Sequence, residues 1–301
     1  MPSIYIPKDK PSIDFIQRVS TLIILVQRDN FMPELPEVET SRKGISPHLI
    51  NKPVQDVVLR HTQLRWKIPQ DLLSEINNKM LLSIDRRAKY LLFNFSSGTL
   101  LIHLGMSGSL QICPLDSPPK KHDHADFVFT DCLLRYTDPR RFGAILWLGL
   151  TPENCSLLNK LGPEPLDNDF SAKYLHQRSA KRKLPVKQFI MDQKVVTGVG
   201  NIYATEALFN SGISPLRAAG NISEKRYQVL VVAIKEILQQ AIKQGGTTLK
   251  DFVGSDGKPG YFQQTLQVYG KTGQQCPHCE TPLKNVKLAA RASVYCPNCQ
   301  S

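Results

Sequence analysis

Two cysteine pairs carry the most pointed chemistry in this sequence. Cys276-Pro277-His278-Cys279 and Cys296-Pro297-Asn298-Cys299 are CxxC knuckles with sixteen residues between them, the spacing of a zinc ribbon. Four thiolates complete a tetrahedral zinc shell and leave no open position, so such a metal is structural. A redox CxxC needs one pair in a thioredoxin-like setting and does not explain two. His278 is surplus to a four-cysteine shell. Between the knuckles, Lys284, Lys287 and Arg291 make a cationic hairpin tip suited to phosphates.

A second signal is Met32-Pro33-Glu34-Leu35-Pro36-Glu37-Val38-Glu39-Thr40. Methionine before a small-ring residue is the context in which an initiator methionine is removed. A chain beginning at Pro33 would expose a secondary amine beside a carboxylate. Free α-amino groups titrate near ~8, far below lysine's ~10.4, which leaves a neutral nucleophilic fraction. Condensed with a sugar aldehyde, a secondary amine gives an iminium directly, an electron sink for elimination. The same residues also read as a proline opening a helix, followed by acidic first-turn residues. Two more motifs stay open in the same way. Gly198-Val199-Gly200-Asn201-Ile202-Tyr203 is a Gly-rich turn whose free backbone N–H groups suit a phosphate, and it is equally an ordinary helix start. Lys181-Arg182-Lys183 with Lys187 is a basic cluster that alone reads as a solvated charge run.

These residues need elements to position them. From about residue 54 to 148 the chain reads as β. Tyr90 to Phe95, Ser96-Ser97-Gly98 and Thr99 to Leu104 form a hairpin pattern, and Phe127-Val128-Phe129 with Leu133-Leu134-Arg135-Tyr136 forms another. Short strands with turn signals between them predict an antiparallel sandwich or barrel, preceded by a short helix over about 36–49. Leu161-Gly162-Pro163-Glu164-Pro165 is rich in breakers and predicts a domain boundary. Beyond it Leu230, Ile234, Ile237, Leu238 and Ala241 recur at helical spacing, starting after Ser223 and stopping at Gly245-Gly246. The segment from about 267 to 301 has too little apolar content to fold without a staple.

Composition narrows the partner. The chain has 301 residues, 41% of them hydrophobic, and a net charge of +12 from 38 Lys+Arg against 26 Asp+Glu. That size fits one large domain or two modest ones, and that excess suits a polyanion, nucleic acid first and an anionic membrane second, or equally a surface of simply solvated lysines. Cys113, Cys132 and Cys155 lie outside the cluster, which fits a reducing cytosol and not a secreted disulfide framework. No apolar run approaches the roughly 18 residues of a membrane helix. Leu22-Ile23-Ile24-Leu25-Val26 falls short of a signal peptide's apolar region of about 7–15 residues. Asp9, Asp14 and Asp29 suit a transit peptide badly.

PELPEVET, RRAKYLL, HLGMSGSL, KHDH, RYTDPRRFG, LGPEPL, GVGNIY, GGTTLKDF, SDGKPGYF, QVYG and the terminal ribbon occur in that order. Together they resemble the bacterial formamidopyrimidine-DNA glycosylase family from Met32 to the C-terminus. The resemblance implies an α+β chain: an N-terminal antiparallel β-sandwich flanked by helices, then a C-terminal helix–two-turn–helix domain with a zinc-ribbon finger. Domains are expected at 32–160, 161–266 and 267–301. The implied activity removes oxidised purines (8-oxoguanine, formamidopyrimidines) from duplex DNA opposite cytosine, then nicks the strand by β,δ-elimination. Pro33 resembles the nucleophile that forms the Schiff base, and Glu34 the acid that handles the sugar's ring-oxygen proton. Lys89 resembles the lysine that contacts phosphate and assists β-elimination. Arg291 resembles the finger arginine that grips the flanking phosphates and assists δ-elimination. Glu37 matches a residue lining the damaged-base pocket. Met106, Arg140 and Phe142 match the trio that fills the hole left by the flipped base: an apolar wedge and an aromatic replace lost stacking while arginine meets the orphaned cytosine. His122, Arg182, Lys187, Asn201 and Lys250 match phosphate contacts. The implied cofactor is one structural zinc on Cys276, Cys279, Cys296 and Cys299, with no redox or nucleotide cofactor.

The family begins at the proline, whereas this sequence carries 31 residues before Met32. With those residues attached the Pro33 nitrogen is an amide and cannot attack, so residues 1–31 are expected to be absent from the working enzyme. The expected protein is a cytoplasmic, nucleoid-associated monomer acting on damaged double-stranded DNA, with no membrane partner. Two rivals remain: an endonuclease-eight-like enzyme for oxidised pyrimidines, and a non-catalytic damage-binding protein in which the extension is retained.

Overall fold

Alternation of apolar and polar side chains builds the first half. The computed structural model describes residues 33–246 and 265–301. Helix α1 (Leu35–Leu49) comes first and buries Leu35, Val38, Ile45 and Leu49. There follow β1 (Asp56–Leu59), a short α2 (Leu72–Ile76), β2 (Leu81–Arg87), β3 (Tyr90–Phe95), β4 (Gly98–His103), β5 (Ser109–Cys113), β6 (Asp123–Val128), β7 (Leu133–Thr137) and β8 (Ala144–Trp147). They pair as two antiparallel four-stranded sheets, β2-β3-β4-β8 and β1-β6-β7-β5.

Along β3 the residues Leu91, Phe93 and Phe95 are buried and their neighbours are not, the period of two that a pleated strand imposes. They share one core with Leu100 and Ile102 of the same sheet, with Phe127, Leu134 and Tyr136 of the other, and with Val38, Ile45 and Leu49 of α1. The expected antiparallel sandwich is therefore observed. Both predicted hairpins are present, β3 with β4 and β6 with β7. At the first turn Gly98 has φ +145°, and a Cβ there would lie 2.6 Å from the Gly149 backbone, so no other residue fits.

The second half is helical: α3 (Ala172–Ser179), α4 (Val186–Met191), α5 (Asn201–Asn210) and α6 (Glu224–Lys243). Ser223 caps α6 by accepting from the Arg226 N–H, and Leu230, Ile234, Ile237, Leu238 and Ala241 are buried along it. Gly245 and Gly246, both at positive φ, end it, as the glycine pair predicts. The chain finishes in a two-stranded hairpin, β9 (Lys284–Leu288) and β10 (Arg291–Tyr295).

Sandwich and helices belong to one compact unit, Met32–Ser301. Glu164 joins them. Its carboxylate accepts from Arg86 at 2.6 Å, Arg87 at 2.7 Å and the Ala88 N–H at 2.6 Å. The finger is joined through Glu206 of α5, whose buried carboxylate accepts from the N–H groups of Gln267, Val268 and Tyr269 at 2.8, 2.9 and 2.6 Å. No helix among the described residues is long and apolar enough to cross a membrane.

Candidate active site and nucleic-acid interface

Pro33 is buried at the start of the described chain, immediately before the N-cap of α1. The Glu34 side chain does not turn to solvent. Its carboxylate accepts from the N–H of Gly200 at 2.9 Å and of Ile202 at 3.0 Å, so it occupies the positive end of α5. This corrects the phosphate reading of the glycine turn: an acid of the chain itself fills the anion position. The glycines make room for it, since a Cβ on Gly200 would lie 2.2 Å from the Glu34 Cδ and one on Gly198 2.5 Å from Leu35. Glu37 reaches back to accept the Glu34 N–H at 2.9 Å and takes the Tyr203 hydroxyl at 2.7 Å. Burial is the largest influence on Glu34 and raises its pKa above the ordinary value; the Glu37 charge acts in the same direction, while Lys89 and the Ile202 and Tyr203 amides pull it down. A carboxyl held this way keeps a proton to higher pH than a solvated one.

Lys89 faces the two acids from the turn between β2 and β3. It is only 7% exposed. Burial pushes its ammonium below the ordinary lysine value; the Glu34 and Glu37 carboxylates hold it up, and Arg291 lowers it further. The turn that carries it is pinned by Glu164, and its other residue, Ala88, sits at φ +55°.

The four cysteine sulfurs lie within 4.8 Å of one another. The Cys276–Cys299 and Cys279–Cys296 separations are 3.9 and 3.5 Å. Tetrahedral zinc with bonds of about 2.3 Å requires sulfurs roughly 3.8 Å apart, so the residues fit the metal. Its place is structural, closing the finger that carries Arg291 at the head of β10. The Ala289–Ala290 turn before Arg291 has φ of 46° and 62°. Lys187, expected as a surface phosphate contact, is instead 1% exposed. Its Nζ donates to the Ala292 carbonyl at 2.9 Å and the Ser293 hydroxyl at 2.8 Å. Burial, the largest influence, brings its pKa down to about 7, with Arg291 acting in the same direction and Glu34 against it. Lys187 and Arg291 line a cavity of about 150 Å³ with Gln188, Met191 and Leu288.

The other candidates stand at the rim. Phe142 is 46% exposed, with the Arg140 guanidinium 5.1 Å from its ring centre. Arg141 between them has φ +57°. Met106 is half-buried on a neighbouring loop and His122 half-buried nearby in sequence to β6. Arg182 is exposed, follows Lys181 at φ +61°, and lies over the Phe189 ring at 5.6 Å. The Asn201 amide nitrogen donates to the Tyr269 hydroxyl at 3.5 Å, while its buried Oδ1 has no hydrogen-bond partner among the described residues. Lys250 lies outside the described residues. Sequence reasoning overlooked Glu164, Glu206 and Asp138 as organising acids. Each occurs in or near a quoted motif, but only tertiary contacts reveal what it holds.

Three family models match in succession: the formamidopyrimidine-DNA glycosylase N-terminal domain over residues 32–145, its H2TH domain over 161–253, and a zinc finger found in FPG and IleRS over 273–301. The chain belongs to the formamidopyrimidine-DNA glycosylase family. A formamidopyrimidine-DNA glycosylase of Psychromonas ingrahamii is 89% identical over 270 residues, covering 90% of this chain and 100% of that protein. A Lactococcus lactis FPG in complex with Fapy-dG-containing DNA matches at a TM-score of 0.82 and 34% identity, over 89% of this chain and 99% of that one. The same Lactococcus lactis protein with abasic-site DNA matches at 0.83, again with 34% identity over 89% and 99% of the two chains. The formamidopyrimidine-DNA glycosylase assignment makes this chain a DNA-repair enzyme with one structural zinc finger.

Proposed function

We propose that this enzyme removes oxidised purines, 8-oxoguanine and formamidopyrimidines among them, from duplex DNA and cleaves the abasic site it creates. The observation that carries the reading is a buried acid opposite a buried lysine beside Pro33. Burial raises the Glu34 pKa above the ordinary carboxylate value and lowers that of Lys89 below the ordinary lysine value. Opposed shifts of this kind mark acid and base partners.

The Pro33 nitrogen attacks C1′ as the bond from C1′ to the damaged base breaks, and the base leaves with a proton. Opening of the C1′–O4′ bond gives the iminium, and O4′ takes its proton from Glu34. Loss of a C2′ proton expels the 3′ phosphate, with Lys89 at hand. Loss of a C4′ proton then expels the 5′ phosphate, which Arg291 grips. Water releases the sugar fragment and restores the amine. Met106, Arg140 and Phe142 fill the space that the extruded base vacates. His122, Arg182, Asn201, Lys187 and Lys250 hold phosphates, Lys187 through the finger backbone it props. The enzyme acts as a cytoplasmic monomer.

An amide nitrogen cannot attack, so the competent form has Pro33 as its first residue. The test compares the full chain carrying Met32→Leu with a chain beginning at Pro33. Only the second should trap covalently with borohydride on 8-oxoguanine DNA. Equal trapping by an intact long chain would remove Pro33 as nucleophile. Faster turnover of thymine-glycol than 8-oxoguanine duplexes would replace the purine reading with the pyrimidine one.

A further inference from the structure

A carboxylate sealed from water must find hydrogen-bond donors within the protein. Asp138, just beyond β7, is 0% exposed, and it finds four. Its Oδ1 accepts from the Ser107 hydroxyl at 2.7 Å and the Arg140 N–H at 3.3 Å. Its Oδ2 accepts from the Gly143 N–H at 2.9 Å and the Tyr136 hydroxyl at 3.2 Å. The Ser107 oxygen also accepts from the Arg140 N–H, at 3.1 Å. One donor therefore adjoins Met106, and two bracket the Arg140–Phe142 segment. The Asp138 carbonyl extends the arrangement, meeting the His124 ring nitrogen at 2.8 Å and the Arg141 N–H at 3.2 Å.

The two loops also touch as bare backbone. A Cβ on Gly105 would lie 2.4 Å from the Gly143 nitrogen, and one on Gly143 would lie 1.7 Å from the Tyr136 hydroxyl. Close approach and shared acid together leave little room for the loops to move separately.

We propose that Asp138 is a positioning residue that locks the Met106 loop to the Arg140–Phe142 loop, so that all three side chains enter the duplex as one wedge. This rests on the void-filling role proposed above for those side chains. A wedge assembled before binding loses little freedom when the base leaves. Two loops that had to be ordered separately would lose more. The lock acts on extrusion of a base, and a preformed abasic site makes a smaller demand of it.

The experiment measures single-turnover rates on an 8-oxoguanine duplex and on a preformed abasic duplex. The proteins are wild type, Phe142→Ala, Ser107→Ala, Asp138→Asn and the Ser107→Ala/Asp138→Asn double variant. Asparagine keeps the shape of Asp138 but cannot accept from all four donors. If its oxygen serves Gly143 and Tyr136, its amide meets the Arg140 N–H. Ser107→Ala removes a single hydroxyl, so it reports even where Asp138→Asn fails to fold. Each single variant should lower excision roughly 10-fold, a coupling in the range expected of contacting residues, with under ~3-fold loss on the abasic duplex. The double variant should be no slower than Asp138→Asn alone, because both changes cut the same link. A purely structural role would lower both substrates together. Equal losses on the two substrates for Ser107→Ala and Asp138→Asn, with Phe142→Ala still selective, would overturn the positioning role alone. An additive double variant would do the same. Equal losses for Phe142→Ala would bring down the void-filling reading and this inference with it.

Discussion

The floor of the site and its rim are held by different means. Glu34, Glu37, Lys89 and Lys187 are all below 8% exposed, and hydrogen bonds within the chain fix Glu34, Glu37 and Lys187. Arg140, Phe142, Arg182 and Arg291 face solvent, where a charge costs nothing to keep and gains little from a neighbour. The floor is organised before any substrate arrives. On the proposed function, the rim meets the anionic DNA backbone. Chemistry and grip should therefore respond to different perturbations, and that separation can be attacked experimentally.

The largest effect should come from the floor. Glu34→Gln keeps the shape but loses the proton, and its amide opposes either the Gly200 or the Ile202 N–H. Excision should fall by ~10²–10⁴, the usual worth of a general acid, with a lower Tm from the lost helix cap. A single-turnover assay beside a melting curve checks both. Less than about tenfold loss of rate would leave Glu34 as a helix cap alone.

Salt should divide floor from rim. With ~4 phosphates neutralised, DNA affinity should drop roughly 10²-fold between 50 and 200 mM salt. The excision rate at saturating enzyme should stay level over the same range. Fluorescence anisotropy and single-turnover kinetics read the two quantities, and a flat affinity would contradict a phosphate-gripping rim.

Opening the finger should act more modestly. Cys296→Ser should release the zinc, since metal binding and ribbon folding are one process, and displace Arg291. DNA affinity should fall about tenfold, the worth of one charged contact of ~1.5 kcal/mol. Complete metal loss with unchanged affinity would detach the finger from DNA binding.

A last test, read in stability and not in DNA binding, asks whether Lys187 belongs to the floor. Its pKa is brought down to about 7, against ~10.4 in an unfolded chain. Between those values the unfolded state holds a proton that the folded state lacks, so this site adds stability as pH rises from about 7 to about 10. Against a Lys187→Met variant, the wild-type Tm should gain steadily over that window. A constant difference would mean that Lys187 stays charged beneath the finger.

Much of the scaffold could be read from the chain alone because it is local. Leu91, Phe93 and Phe95 announce a strand by alternation, and Leu230 to Ala241 announce a helix by period. The four cysteines declare their metal by spacing. What escaped was long-range. Glu34 and its two amide donors are 166 and 168 residues apart in sequence, and no periodicity links them. A GxG turn opening a helix is compatible with phosphate or with an internal acid, and only packing chooses between them. Lys187 sits in a run of basic residues that looks uniformly solvated, yet α4 turns that one residue beneath the hairpin. Asp138 lies within RYTDPRRFG, where nothing local shows that its carboxylate is sealed from solvent.

The left-handed backbone at Ala88, Arg141, Lys181, Ala289 and Ala290 has a consequence for how this enzyme can adapt to heat. Each residue lies within two positions of a candidate contact: Lys89, the Arg140–Phe142 pair, Arg182 or Arg291. A side chain in that conformation holds back about 1 kcal/mol that glycine would release. Selection for a warmer habitat would therefore find easy gains at these five positions. Glycine, however, widens the range of backbone directions open to its neighbour, and the aim of the adjacent group would spread with it. Heat tolerance and aim are opposed at the same sites, a trade familiar where working geometry is strained. Lineages that run hot should accordingly leave these turns alone and harden the outer faces of the helices instead.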